Sequence, residues 1–208
     1  MSGLARHLLV LLARLLVGAR GEWLGCAPEP GRRIYFANHS SHFDTLAVIA
    51  AMPLPLRRTL RPVAARDYWG RTRLGRFFAE GCLRAVLLDR TPRFHEDPLA
   101  PVATVLERGE SILIFPEGTR GDGEAVAGFK PGLFHIARRF PEVDLVPVHL
   151  DNLARVMPKG SLLVVPLTCT ARFGASFRLD PGEPKQTFLA RARAALLALA
   201  PAAVEPER

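Results

Sequence analysis

The apolar positions of this 208-residue chain fall into two periods. Short, mostly apolar runs at Ile34–Ala37, Leu60–Ala65, Ala85–Leu88, Ile112–Phe115, Leu145–Val148 and Leu162–Val165 are bounded by turn-forming residues and predict strands. Between them, residues 43–52, 67–80, 97–108 and 130–140 have helical character, and an Ala- and Leu-rich stretch over 185–200 predicts a last helix. Strands that are apolar on both faces, Ile112–Phe115 above all, need cover on both. The alternation therefore predicts an α/β fold: a layered domain with a mixed, largely parallel sheet flanked by helices. Residues 161–178 alternate more and predict an antiparallel pair at the sheet edge.

The apolar run Leu4–Val17 precedes this pattern. It is shorter than the roughly 20 residues of a membrane span and is interrupted by Arg6 and Arg14. Wound at 100° per residue, it places Leu4, Leu8, Leu11, Leu12 and Leu15 on one side and Arg6, His7, Arg14 and Arg20 on the other. Residues 1–22 are thus expected to form an N-terminal amphipathic helix, whose leucines either pack on their own domain or lie in a bilayer interface. A signal peptide fits less well, because Arg14 interrupts the apolar stretch and no small-residue cleavage site comes after it. Pro28, Pro30 and Gly31 mark a loop, and no repeat or long linker divides the remainder of the chain. A single domain over 1–208 with a flexible tail at 201–208 is expected.

Composition narrows the function. Hydrophobic residues at 49% and charged residues at 23% exclude a disordered or low-complexity chain. A net charge of +8 points to anionic surfaces. Arg57, Arg58, Arg61, Arg66, Arg71, Arg73 and Arg76 form a basic run without any nucleic-acid motif, so an anionic membrane surface is the expected partner and nucleic acid is not. Near such a surface each basic residue contributes about 1 kcal/mol. Three cysteines without a C-x-x-C pair suggest neither a disulfide framework nor a zinc site, and fit a reducing, cytoplasmic setting.

Two stretches carry chemistry. Asn38-His39-Ser40-Ser41-His42-Phe43-Asp44 comes directly after the strand Ile34–Ala37, at the kind of strand end where open α/β sheets bind ligands. Five positions along a regular helix rotate by roughly 140° and advance about 7.5 Å. His39 and Asp44 therefore meet only if the intervening segment turns and folds Asp44 back onto the imidazole. Such a carboxylate would hold the ring in one tautomer and leave the other nitrogen to take a proton from a substrate hydroxyl. Asn38 would either orient the site or cap the turn.

The second stretch, Phe115-Pro116-Glu117-Gly118-Thr119-Arg120, also comes after an apolar strand. Pro116 ends the strand and Gly118 permits a tight turn, bringing Glu117, Thr119 and Arg120 onto one loop. There Arg120 would grip a phosphate through its planar fork, while Glu117 sets its geometry or receives a substrate hydroxyl. A metal site at His39, His42 and Asp44 is the rival reading, and no H-E-x-x-H motif accompanies it. A serine hydrolase would need a G-x-S-x-G elbow around Ser40 or Ser41, which is absent.

Together the stretches resemble the phospholipid and glycerol acyltransferase family, whose signature pairs N-H-x4-D with F-P-E-G-T-R. Arg90, Leu145–Val148 and Phe129-Lys130-Pro131-Gly132 resemble its weaker blocks. The resemblance implies a glycerol-3-phosphate acyltransferase-like fold and an O-acyltransferase with His39 as general base and Asp44 as its orienting partner. Arg90, Glu117 and Arg120 would bind the acceptor's phosphate end, with Gly118, Thr119 and Lys130 beside them in the substrate site. It implies no metal or cofactor; acyl-coenzyme A or acyl-acyl carrier protein is the donor substrate. The expected acceptor is a lysophospholipid, foremost 1-acyl-glycerol-3-phosphate, and the expected location is peripheral, at the cytoplasmic face of a membrane. The alternatives are another lysolipid or lyso-aminolipid acceptor, or a basic lipid-binding module without catalysis.

Overall fold

Seven strands form a single sheet in the order β1-β7-β6-β2-β5-β3-β4. The computed structural model describes residues 2–41, 43–89, 97–121, 125–151 and 169–201. The strands are β1 (Arg20–Trp23), β2 (Arg33–Ala37), β3 (Leu60–Ala65), β4 (Val86–Leu88), β5 (Ser111–Ile114), β6 (Asp144–Asp151) and β7 (Thr170–Phe173). Strands β6, β2, β5, β3 and β4 run parallel, β7 is antiparallel to β6, and β1 is parallel to β7. The sheet is mixed and mostly parallel, as the alternation of runs predicts. The predicted strand Leu162–Val165 and the tail 202–208 lie outside the described residues.

Period-two alternation along the central strands builds a core on each face. Tyr35 and Ala37 of β2 join Leu113 and Val146 under α1 (Ser2–Val17), α2 (Asp44–Ala51) and α3 (Leu54–Thr59). Ile34 and Phe36 point the other way, with Ile112 and Leu145, under helices α6 (Ala100–Glu107), α7 (Gly132–Arg139) and α8 (Lys185–Leu197). Ile34, Phe36, Ile112 and Leu113 are fully buried, which is why their strands carry no polar side.

Three expectations need correction. The predicted helix over 67–80 is broken into α4 (Arg66–Trp69), α5 (Arg73–Arg76) and a π-helix (Phe77–Cys82). Gly70 and Gly75 weaken a continuous helix, and Thr72 starts a new one by accepting a hydrogen bond from the Gly75 amide at 3.0 Å. The N-terminal helix ends at Val17 rather than near residue 22, because Gly18 takes a left-handed conformation (φ 47°) and the chain enters β1. β1 has no strand-like composition; it exists because Trp23 stacks on Phe173 (3.9 Å between centroids) and the side-chain-free Gly21 lets the Ala51 carbonyl approach closely. Consequently β7 is not at the edge; β1 covers it.

Helix α1 does not bury its leucine-rich side, the second of the two alternatives its sequence offers. Val10, Ala13 and Leu9 join the core, while Arg6 and Arg14 reach over the domain to donate to the carbonyls of Arg57 (2.6 Å) and Ala50 (2.8 Å). Leu8, Leu11 and Leu12 face outward, more than half exposed. Among the described residues no helix is long and apolar enough to cross a membrane.

Candidate active site

Because β2 and β5 are parallel neighbours, with Phe36 opposite Ile114, their carboxyl ends open onto the same edge of the sheet. The loop after β2 carries His39 and the loop after β5 carries Glu117 to Arg120, so two stretches about 80 positions apart meet there. The first loop folds as the His39–Asp44 spacing requires. Asp44 is the first residue of α2, and its Oδ2 lies 2.7 Å from His39 Nδ1. The same oxygen accepts from the amides of Ser40 (2.7 Å) and Ser41 (2.9 Å), so one fully buried carboxylate both holds the turn and grips the ring. Facing a carboxylate oxygen, Nδ1 carries the hydrogen, and Nε2 is left as the acceptor nitrogen. The imidazole stacks on Phe115 at 4.2 Å between centroids and 21° between planes, which covers one face of the ring.

The second loop is tied to the first through Glu117. Its carboxylate is buried; Oε1 accepts from the His39 amide at 2.7 Å and Oε2 from the Ala127 amide at 2.8 Å. The Gly121 amide donates to the His39 carbonyl at 2.8 Å, so both backbone groups of His39 are held by the β5 loop. The Pro116 carbonyl accepts from the Lys130 amide, and the Lys130 stem lies over Gly118. Gly118 itself has φ 72°, a conformation that costs a side chain about 1–2 kcal/mol. Gly118→Ala should therefore lower stability by about 1–2 kcal/mol and cut kcat/KM severalfold by displacing the neighbouring Arg120. Thermal denaturation alongside steady-state rates checks this; a variant as stable as the parent would show that the turn does not need its glycine.

A cavity of about 350 Å³ lies at this edge, lined by His39, Gly118, Thr119 and Arg120 on one side. Ala65 at the end of β3, Leu88 at the end of β4, and Tyr68 and Trp69 form an apolar and aromatic wall. Arg120 sits over the Tyr68 ring, 5.8 Å from its centroid, and among the described residues no carboxylate pairs with it. The cavity thus offers an imidazole nitrogen, a cation and an apolar wall within one volume.

Of the residues singled out in the sequence, His39, Gly118, Thr119 and Arg120 line the cavity, and Asp44 stands behind the imidazole. Glu117 does not line it, and Lys130 contributes its stem to the loop. Arg90 lies outside the described residues, as does His42, the second histidine of the metal reading. Asn38 is a structural residue: its side-chain amide exchanges two hydrogen bonds with the Leu150 backbone (3.0 and 2.7 Å), extending the β2–β6 pairing by one position. Neither Ser40 nor Ser41 lines the cavity, and the Ser41 hydroxyl accepts from the Phe43 amide at 3.2 Å. Cys169 is buried, and its thiol is pushed up to about 12, by burial first and then by the carboxylates of Asp44 and Asp151. It stays protonated at neutral pH and is no nucleophile. Thr45, Tyr68 and Trp69 line the cavity without having been singled out in the sequence, and Phe115, quoted there only as part of its stretch, serves as the stacking partner of His39; an aromatic pair shortly after a predicted strand was the available signal.

Fold and site define an α/β protein with a histidine–aspartate pair and a cation at the carboxyl edge of a mostly parallel sheet. The Acyltransferase family matches residues 26–151, which contain both loops, and the chain belongs to that family. It is 29% identical over 129 residues to the chloroplastic 1-acyl-sn-glycerol-3-phosphate acyltransferase LPAT1 of Arabidopsis thaliana, covering 62% of this chain and 34% of that protein. It is 31% identical over 134 residues to the 1-acyl-sn-glycerol-3-phosphate acyltransferase of Salmonella typhimurium, covering 61% and 49%. Over 181 residues, 83% of this chain and 60% of the relative, it is 26% identical to the Limnanthes alba 1-acyl-sn-glycerol-3-phosphate acyltransferase. The chain spans between about a third and three fifths of the length of these relatives. The crystal structure of the 1-acyl-sn-glycerophosphate acyltransferase PlsC from Thermotoga maritima shares the fold, with a TM-score of 0.73, 19% identity, and coverage of 95% of this chain and 78% of that one.

Proposed function

We propose that this protein is an O-acyltransferase that moves a fatty acyl group from an acyl thioester to the free hydroxyl of a lysophospholipid, foremost 1-acyl-glycerol-3-phosphate. The observation that carries the reading is the shared cavity: His39, backed by Asp44, and Arg120 line the same volume of about 350 Å³. His39 Nε2 takes the proton of the acceptor hydroxyl as its oxygen attacks the thioester carbonyl. Asp44 keeps the ring in the tautomer that can do this and stabilises the imidazolium that forms. The tetrahedral adduct then expels the thiolate, which takes the proton back from the imidazolium. No acyl-enzyme is needed, which agrees with a cavity that no serine or cysteine lines among the described residues. The donor is a substrate, carried on coenzyme A or acyl carrier protein, and the reaction draws on no metal or cofactor.

Arg120 holds the acceptor's phosphate, with Thr119 beside it and Arg90 as a second cation, while the wall from Ala65 to Trp69 and Leu88 receives apolar parts of donor or acceptor. Glu117 and the Lys130 stem shape the loop that presents Arg120. Arg120→Ala is expected to raise the KM for a phosphate-bearing acceptor about tenfold to a hundredfold with a smaller effect on kcat, since a charge-assisted hydrogen bond contributes about 1.5–3 kcal/mol. The test is a panel of lysophosphatidate, glycerol 3-phosphate and other lyso-acceptors with labelled acyl-coenzyme A. Transfer to lysophosphatidate that depends on Arg120 supports the reading, and transfer only to acceptors lacking phosphate would overturn it.

The lipid acceptor in the names of its relatives, together with α1 turning Leu8, Leu11 and Leu12 outward, supports a peripheral seat on a membrane, with the cytoplasmic face as the proposed side. The basic run contributes less to that seat than its sequence suggests. Arg61 is ion-paired with Glu110, Arg66 with Asp89 at 3.1 Å and Arg76 with Glu80 at 2.8 Å, while Arg57 turns inward to the Met52 and Ala50 carbonyls.

A further inference from the structure

A second cavity, of about 370 Å³, opens between α1, α3 and the π-helix, and nothing in the acyl-transfer mechanism uses it. Arg6, Arg57, Arg58 and Arg84 line it against a single acid, Glu80, whose carboxylate is already held by Arg76. Arg57 spends its guanidinium on the Met52 and Ala50 carbonyls, but the like charges of the arginines gathered here still repel each other unless an anion joins them. Arg6 records that repulsion: it is only 9% exposed and pushed down to about 10, by burial first and then by the charges of Arg84, Arg61 and Arg57. Arg57 is likewise lowered to about 10, by burial and then by Arg14. Among the described residues no carboxylate answers Arg58, and the acid nearest Arg84, Glu110 at 3.9 Å, is shared with Arg61.

Backbone geometry makes a second, independent observation. Arg84 has φ 57°, and among the described residues it is the one non-glycine residue at positive φ. It comes directly after Leu83, the residue that caps the π-helix, at a position that glycine ordinarily fills. A large charged side chain is held there at a cost of about 1–2 kcal/mol. Its Nη1 donates to the Arg58 carbonyl at 2.8 Å, which draws the two arginines together at the cavity.

We propose that this cavity binds the phosphate of an anionic phospholipid headgroup, as a lipid site separate from the catalytic cavity. A lipid is the occupant that fits, because exposed apolar side chains accompany the arginines: Leu54 lines the cavity and is exposed, and Leu8 and Leu11, outside the lining, stand exposed on α1, the helix that carries Arg6 and Val10. With those leucines at the acyl boundary, the arginines sit at headgroup depth. The site gives the attached protein a preference for anionic over neutral membrane, and it rests on the peripheral attachment proposed above.

Flotation with vesicles of phosphatidylcholine alone, and of phosphatidylcholine mixed with phosphatidylglycerol, separates the two ideas. The parent protein should bind the mixed vesicles more tightly, and the Arg58→Gln, Arg84→Gly double variant should lose roughly twentyfold to thirtyfold of that preference. Glycine adopts the conformation at 84 without strain, so the thermal midpoint of Arg84→Gly should not fall by more than the lost Arg58 contact explains. Arg71→Gln with Arg73→Gln, which removes the same charge from exposed positions outside the cavity, should retain most of the preference. Equal losses in the two double variants, or equal binding of the parent to neutral and anionic vesicles, overturn the site while leaving attachment standing. Binding to neither vesicle overturns attachment and the site together. Inorganic phosphate that raises the thermal midpoint as much as anionic vesicles do would identify a soluble ligand and overturn the lipid.

Discussion

His39→Ala is expected to lower kcat by about 10² to 10⁴ while leaving the fold intact. The scale comes from the role: without the imidazole, the acceptor hydroxyl must lose its proton to water at the moment it attacks. Retention of the fold comes from the surroundings. Asp44 keeps the Ser40 and Ser41 amides on Oδ2, so the turn survives; what is lost is the 2.7 Å hydrogen bond from Nδ1 to Oδ2 and one ring contact with Phe115 worth about 0.5–1.5 kcal/mol. Circular dichroism and thermal denaturation measured with single-turnover acyl transfer check both halves. Unchanged turnover in a folded variant would remove His39 from the mechanism.

Glu117→Ala is expected to cost stability as well as rate, and this separates it from a residue that merely touches substrate. The change strands two backbone N–H groups, those of His39 and Ala127, in a loop packed beneath the site. Each such group costs about 1–3 kcal/mol, so a loss of about 2–6 kcal/mol is anticipated. The His39 backbone also loses one of its two anchors, the Gly121 amide still holding its carbonyl, and a shift of the imidazole by about 1 Å is enough to reduce kcat by about 10². Glu117→Gln keeps one acceptor oxygen and should fall between parent and alanine on both measures. If alanine at 117 raised only the acceptor KM and left the thermal midpoint unchanged, Glu117 would be a substrate ligand rather than the clamp that positions His39.

His39 and Glu117 differ in how far local sequence reveals them. His39 and Asp44 are legible because, five positions apart at a strand end, they meet only through a turn that bends the acid back onto the ring. Glu117 reads equally well as a phosphate-site residue, since its partners, the His39 and Ala127 amides, are backbone groups that no side-chain pattern records. Asn38 is the same case: its partner is the backbone of Leu150, 112 positions away. The π-helix and the short α4 and α5 escape a periodicity reading because two glycines and a threonine cap interrupt a segment whose apolar spacing still looks helical.

By itself the sequence determined the apolar strands that must be covered on both faces, the strand-end positions of both motif-bearing loops, and the spacing that lets His39 meet Asp44 through a turn, because each depends on neighbours within a few residues. Only the tertiary structure decided which strands lie side by side, and therefore that the loops after β2 and β5 share a cavity with Tyr68 and Trp69. It alone decided, too, which face of α1 turns inward: Arg6 and Arg14 found carbonyls at the ends of α3 and α2, and the leucines were left outside. The reason is physical. Helical periodicity sorts side chains onto faces, but which face is buried depends on the partners that long-range packing brings to it.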